Sequence, residues 1–88
     1  MEIKFKIQAA EDIEYWKRSG NKGIQTKIDK LLRAIKENPV LGIGKPEQLK
    51  QNLSGYYSRR INQEHRIVYK IDFEKQLITV HSIRGHYE

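Results

Sequence analysis

The sequence predicts an α+β fold, with an N-terminal strand and two helices packed on one face of a mostly antiparallel sheet. Three observations predict it. Residues 2–7 alternate apolar and charged side chains, which is the period of a half-buried strand. Ile24, Ile28, Leu31, Leu32 and Ile35 fall on one helical stripe. Residues 55–62 and 65–72 read as two strands around Asn62-Gln63-Glu64, a hairpin pattern, and a further strand follows.

Each element has its own local reason. In the first strand Ile3, Phe5 and Ile7 share one face, and Glu2, Lys4 and Lys6 the other. A first helix is expected over 9–18, with Ala9 or Ala10, Ile13 and Trp16 at helical spacing and Glu11, Asp12 and Glu14 near its start. Ser19, Gly20, Asn21 and Gly23 break it. The second helix carries Lys27, Lys30, Arg33, Lys36 and Glu37 on its outer face and stops at Asn38-Pro39. Residues 40–46 form a Gly/Pro loop, and residues 45–50 suggest a short turn of helix with Pro46 near its start. In the hairpin, Ile67, Tyr69 and Ile71 share one face, and Arg66, Val68 and Lys70 the other. The last strand runs from about Gln76 to Arg84, opened by the turn Asp72-Phe73-Glu74-Lys75. Trp16 reads as core, and His65 and His81 as structural, with His81 facing the helices.

The chain has 88 residues, enough for one modest core, so residues 1–88 are read as a single domain. No cysteine is present, which excludes disulfide scaffolds, Cys-based zinc sites, Fe–S clusters and thiol nucleophiles. The three histidines match no compact metal motif, and no metal or other cofactor is expected. No apolar run approaches the length of a bilayer span and the N-terminus lacks a signal-peptide core, so a cytoplasmic protein without a membrane partner is expected.

Charge is the first pointer to function. Seventeen Lys and Arg against eleven Asp and Glu leave a net +6, a bias toward polyanions. The excess is concentrated. Residues 45–66 hold five basic side chains, Lys45, Lys50, Arg59, Arg60 and Arg66, against Glu47 and Glu64, with Tyr56 and Tyr57 interleaved. Arginine suits bidentate phosphate contact, and tyrosine offers a stacking surface for unpaired bases. The plainer alternative is that Arg59 and Arg60 straddle a strand, one facing solvent and one a local carboxylate.

The motifs in this stretch are more specific than its charge. Gly44-Lys45-Pro46-Glu47-Gln48-Leu49-Lys50 is followed by Asn52-Leu53-Ser54-Gly55-Tyr56-Tyr57-Ser58-Arg59-Arg60-Ile61. Glu64-His65-Arg66-Ile67-Val68-Tyr69 and a terminal Gly85-His86-Tyr87 come next, in order and at close spacing. Together they resemble the Txe/YoeB family of toxins in the RelE superfamily, over essentially the whole chain. The resemblance implies a RelE-like fold and the toxin half of a type II toxin–antitoxin pair. It implies a ribosome-dependent messenger RNA endoribonuclease that inhibits translation, neutralised by a cognate YefM/Axe-like antitoxin. It allows a homodimer, and it places contact with operator DNA in the antitoxin complex.

Metal-independent RNA cleavage needs a base for the 2′-OH proton, an acid for the departing 5′-oxygen, and cations around the phosphorane. The products are a 2′,3′-cyclic phosphate and a free 5′-OH. The chain offers a carboxylate between two lysines, Glu47, an arginine on a strand, Arg66, and a histidine near the C-terminus, His86. The resemblance implies that Glu47 is the general base, His86 the general acid and Arg66 the transition-state cation. It implies that Lys50 and Arg60 bind near the scissile phosphate and that Tyr87 supports the site. Glu88 follows the His-Tyr pair, where the family pattern often ends at the tyrosine.

Other readings of the same residues stay open at this point. A glutamate flanked by lysines is in most proteins a surface charge cluster, and a histidine at a chain end is often inert. A non-catalytic RNA- or ribosome-binding module would use the same basic stretch. It would gain nothing from a carboxylate within a phosphate site. A DNA-binding repressor is weaker, because no helix-turn-helix pattern is present.

Overall fold

The computed structural model describes residues 1–85. Along the chain come β1 (Glu2–Phe5), α1 (Ile7–Ser19), α2 (Lys22–Glu37), β2 (Glu47–Gln48), a 3-10 turn (Gln51–Leu53), β3 (Tyr56–Arg60), β4 (Arg66–Asp72) and β5 (Leu77–Ser82). The strands form one five-stranded sheet in the order β1-β5-β4-β3-β2. All neighbours are antiparallel except β1, which runs parallel to β5. The α+β expectation therefore holds, with β1 paired to β5, the last strand among the described residues.

Both helices bury their apolar stripes against one face of this sheet. Ala9 and Trp16 of α1 and Ile28, Leu31 and Ile35 of α2 meet Ile67, Tyr69, Ile78 and Val80 in one core. Each such fully buried aliphatic side chain contributes about 1.5–3 kcal/mol of transfer free energy. The Asn21 side chain caps α2 by accepting from Ile24 N–H at 3.1 Å. Asn38 ends the helix ahead of Pro39.

Five local expectations are corrected. The alternation at 2–7 does not carry a strand to Ile7. The Lys6 N–H makes a last ladder bond to Val80 O at 2.9 Å, and Lys6 then caps α1. Ile7 is consequently 81% exposed at the helix start, and Phe5 43% exposed at the strand end. Because α1 starts two residues early, Glu11, Asp12 and Glu14 fall beyond its first turn, and Asp12 is buried.

The helical turn expected at 45–50 is instead the edge strand β2. Lys45 takes a positive φ of 50°, which is incompatible with starting a right-handed helix. Leu49 N–H then donates to Tyr56 O at 2.8 Å and extends the ladder. The single turn falls later, at Gln51–Leu53.

Val68, expected beside Arg66 and Lys70 on a polar face, is buried. It lies in register between Ser58 on β3 and Ser82 on β5, shielded by a paired strand on each side. A register irregularity at Val68/Tyr69 accompanies it. His81 does not face the helices. Its ring meets Tyr56 edge-on at 5.4 Å, on the opposite face of the sheet.

Candidate active site on the open face of the sheet

Strand alternation places Tyr57, Arg59 and Ile61 toward the helices, and Tyr56, Ser58 and Arg60 on the open face. Cross-strand register adds neighbours. Glu47 of β2 lies opposite Ser58, and Arg66 of β4 lies opposite Arg60. The Arg66 Nη1 donates to Glu47 Oε2 at 3.2 Å and to Ser58 Oγ at 3.1 Å. Its side chain is 17% exposed, and that of Glu47 60% exposed. A half-shielded guanidinium thus points at an accessible carboxylate, and a second cation, the exposed Arg60, lies cross-strand. Exposed Lys50 follows the end of β2.

The structure therefore brings together Glu47, Arg66 and Arg60 from three strands. It also separates the two tyrosines of the basic stretch. Tyr57 stacks on Tyr69 at 6.0 Å on the core side. Tyr56 stays on the open face, next to His81 and with the Lys70 ammonium 5.6 Å from its ring centre. His86 and Tyr87, the remaining sequence-derived site residues, lie outside the described residues. The chain that leads to them is described: Gly85 O accepts from Arg66 N–H at 2.9 Å, and Gly85 N–H donates to His65 Nδ1 at 3.0 Å.

Arg59 departs from the expectation. It belongs to the basic stretch, yet it is fully buried and faces neither solvent nor a carboxylate. Its Nε donates to Tyr69 Oη at 3.1 Å, Nη1 to Ile43 O at 3.2 Å, and Nη2 to Leu41 O at 3.0 Å and to Asn38 O. The Tyr69 hydroxyl in turn donates to Pro39 O at 2.7 Å. One guanidinium thus satisfies carbonyls of a loop that has no ladder of its own. Burial pushes the Tyr69 phenol up from its ordinary range, an effect the adjacent Arg59 opposes.

The loop is fastened a second time where Arg60 N–H meets Gly44 O at 2.6 Å. Gly44 has φ +85°, and a Cβ there would come within 2.6 Å of Leu31 Cδ2. Only glycine fits this close approach of loop to helix. The fastened loop delivers Lys45-Pro46-Glu47 to the sheet edge. Sequence reasoning missed Ser58, although alternation with Arg60 could have placed it on the site's face.

Two helices back the five-stranded sheet, and this fold is that of the RelE-like toxins; on the other face Glu47 of the edge strand β2 meets Arg66 of the interior strand β4. Residues 5–87 match the family described as YoeB-like toxin of bacterial type II toxin-antitoxin system, and the chain belongs to that family. Among curated relatives, Toxin YoeB of Synechocystis is 49% identical over 73 residues, 83% of each chain. Toxin YoeB of Streptomyces coelicolor is 44% identical over 99% of this chain and 100% of its own.

Solved structures agree. A YoeB/ParE toxin from Agrobacterium tumefaciens superposes with a TM-score of 0.91 at 39% identity, covering 99% of this chain and 100% of that one. The toxin in a YoeB-YefM complex from Staphylococcus aureus gives 0.83 at 49% identity, covering 99% and 98%. YafQ from E. coli, 18% identical with a TM-score of 0.77 over 97% of this chain and 92% of that one, shares the fold.

Proposed function

We propose that the chain is a ribosome-dependent endoribonuclease that cleaves messenger RNA without a metal and so inhibits translation. The observation that carries this is the Glu47–Arg66 pair, held at 3.2 Å on the open sheet face. An accessible carboxylate takes the proton of a 2′-OH, and the oxygen attacks the adjacent phosphorus. Charge gathers on the non-bridging oxygens of the phosphorane, where Arg66 stabilises it once Glu47 turns to the sugar. Arg60 and Lys50 bind near the scissile phosphate. His86 protonates the departing 5′-oxygen, giving a 2′,3′-cyclic phosphate and a free 5′-OH, and Tyr87 supports it. The chain position of His86 favours this role, because it is joined to Gly85, whose carbonyl is bonded to the Arg66 backbone.

The same reading gives residues 1–88 one function, as a single cytoplasmic toxin domain. A cognate YefM-like antitoxin neutralises it, as the solved complex of a Staphylococcus aureus relative suggests. Its net charge of +6 calls for an acidic binding segment. A dimer of the toxin is supported by the YoeB dimer from the same organism, 48% identical. Operator DNA is contacted through the antitoxin complex.

The test is expression in bacteria of the wild type and of Glu47→Gln, each with and without an antitoxin, with messenger RNA ends mapped and folding followed by thermal melting. Glu47→Gln is expected to fold normally, to spare growth and to leave messages intact, since a general base is worth about 10²–10⁴ in rate. Growth arrest by a well-folded Glu47→Gln protein would remove Glu47 from the base role. Arrest without new message ends would favour a binding module.

A further inference from the structure

The segment that ends the described chain is gripped at four backbone groups. Ile83 N–H donates to Asp12 Oδ2 at 2.8 Å, and Ile83 O accepts from Trp16 Nε1 at 3.0 Å. Two residues on, Gly85 N–H donates to His65 Nδ1 at 3.0 Å, and Gly85 O accepts from Arg66 N–H at 2.9 Å. The two grips touch each other, because the Trp16 and His65 rings meet edge to face at 4.9 Å. All of this lies past Ser82, where β5 ends and strand pairing no longer sets the register.

Packing alone does not call for this arrangement. Asp12 is 2% exposed, on the core side of α1, where an apolar residue would bury more cheaply than a carboxylate. Its second oxygen accepts from Gln8 Nε2 at 2.9 Å, so the carboxylate is fully engaged and aimed at a single strap amide. His65 must present a bare Nδ1 to Gly85, which leaves its ring proton on Nε2, 3.8 Å from Glu64 Oε2.

We propose that Asp12, Trp16 and His65 are positioning residues for the reaction: they lock residues 83–85, the segment to which His86 is joined. The inference rests on the acid role of His86 proposed above. Asp12 and Trp16 belong to the helix layer behind the sheet, so their effect on cleavage runs through the strap. An acid works only when held to within about 0.5 Å, and a misplacement of 1 Å can cost about a hundredfold in rate.

The test compares wild type, His65→Leu, His65→Asn, Trp16→Phe and His86→Ala. Toxin is freed from its antitoxin complex and assayed for single-turnover cleavage on programmed ribosomes, ribosome pelleting, urea unfolding and amide exchange at Gly85. His65→Leu is expected to cleave about ten- to a hundredfold more slowly while pelleting normally, with faster exchange at Gly85. His65→Asn, whose Oδ1 can stand in for Nδ1, is expected to recover most of the rate. Trp16→Phe keeps an aromatic ring and removes only the Nε1–H donor. It carries the same expectation should His65→Leu not fold.

A folded His65→Leu or Trp16→Phe protein with a loosened strap and the wild-type rate overturns the inference. So does His65→Asn remaining as slow as His65→Leu with Gly85 protected. His86→Ala separates the two levels. If it is inactive while the strap variants run at full rate, the inference alone fails. If it cleaves at the wild-type rate, the acid role fails and the inference with it.

Discussion

Arg59 Nε lies 3.1 Å from the Tyr69 hydroxyl, and both side chains are completely buried, so one of the five cations of the basic stretch is spent inside the protein. The pair ties β3 and β4 to the loop that precedes Glu47. The candidate site's arginines, Arg60 and Arg66, lie on the other face.

Tyr69→Phe is expected to destabilise the fold by about 1–3 kcal/mol, because Arg59 Nε and Pro39 O each lose a buried partner. In a domain of this size that lowers the melting temperature by roughly 4–8 °C per kcal/mol. The substitution also changes the pH dependence. Burial raises the Tyr69 phenol above 10.0, so the folded protein holds that proton more tightly than the unfolded chain. This contribution is fully present below about pH 10 and is lost as pH rises toward the folded-state value. Urea unfolding of wild type from pH 8 to 11 should show that alkaline loss, and Tyr69→Phe should show less of it.

Gly44→Ala should be more damaging than its size suggests. The φ of +85° strains any other residue, and the new methyl meets Leu31 at 2.6 Å. A loss of about 1–3 kcal/mol is expected from overpacking alone. Cleavage should fall as well, because the displaced loop leads directly into Glu47 at the start of β2. Denaturant titration and a cleavage assay on the same preparation check both; full activity with lowered stability would show that the loop does not set the Glu47 position.

Ser58→Ala isolates the second anchor of Arg66. With the hydroxyl gone, the guanidinium keeps Glu47 as its one side-chain partner among the described residues. A hydrogen bond to a charged group is worth about 1.5–3 kcal/mol, so cleavage should slow by about tenfold or more if that bond orients Arg66. Single-turnover rates decide it, and a rate within about twofold of wild type would leave Arg66 oriented by other contacts.

Metal stripping should leave cleavage intact. Among the described residues, no group of three or more His, Cys, Asp or Glu side chains is placed to hold a metal ion. Toxin dialysed against EDTA and returned to ribosomes at constant Mg²⁺ should cleave at the untreated rate. Recovery only on adding a transition metal would overturn the proposed mechanism.

What the sequence by itself determined is whatever repeats locally. The stripe from Ile24 to Ile35 specified α2 and its buried face, because helical period and apolar spacing reside in neighbouring residues. Asn62 and Asp72 announced their turns, since each side chain caps its own backbone, Asn62 accepting from Glu64 N–H and Asp72 from Lys75 N–H. Glu47, Arg60 and Arg66 became candidates through the family resemblance that their motifs carry. Only the tertiary structure decided which partner each residue meets. Glu47 and Arg66 are 19 positions apart and touch because β2 and β4 flank β3. Arg59 and Arg60 look alike in the sequence, yet a strand sends consecutive side chains to opposite faces, and only the packed helices make one of those faces an interior. Asp12 and Ile83, 71 positions apart, are joined by a hydrogen bond that no local pattern encodes, because it forms only after helix and sheet have docked.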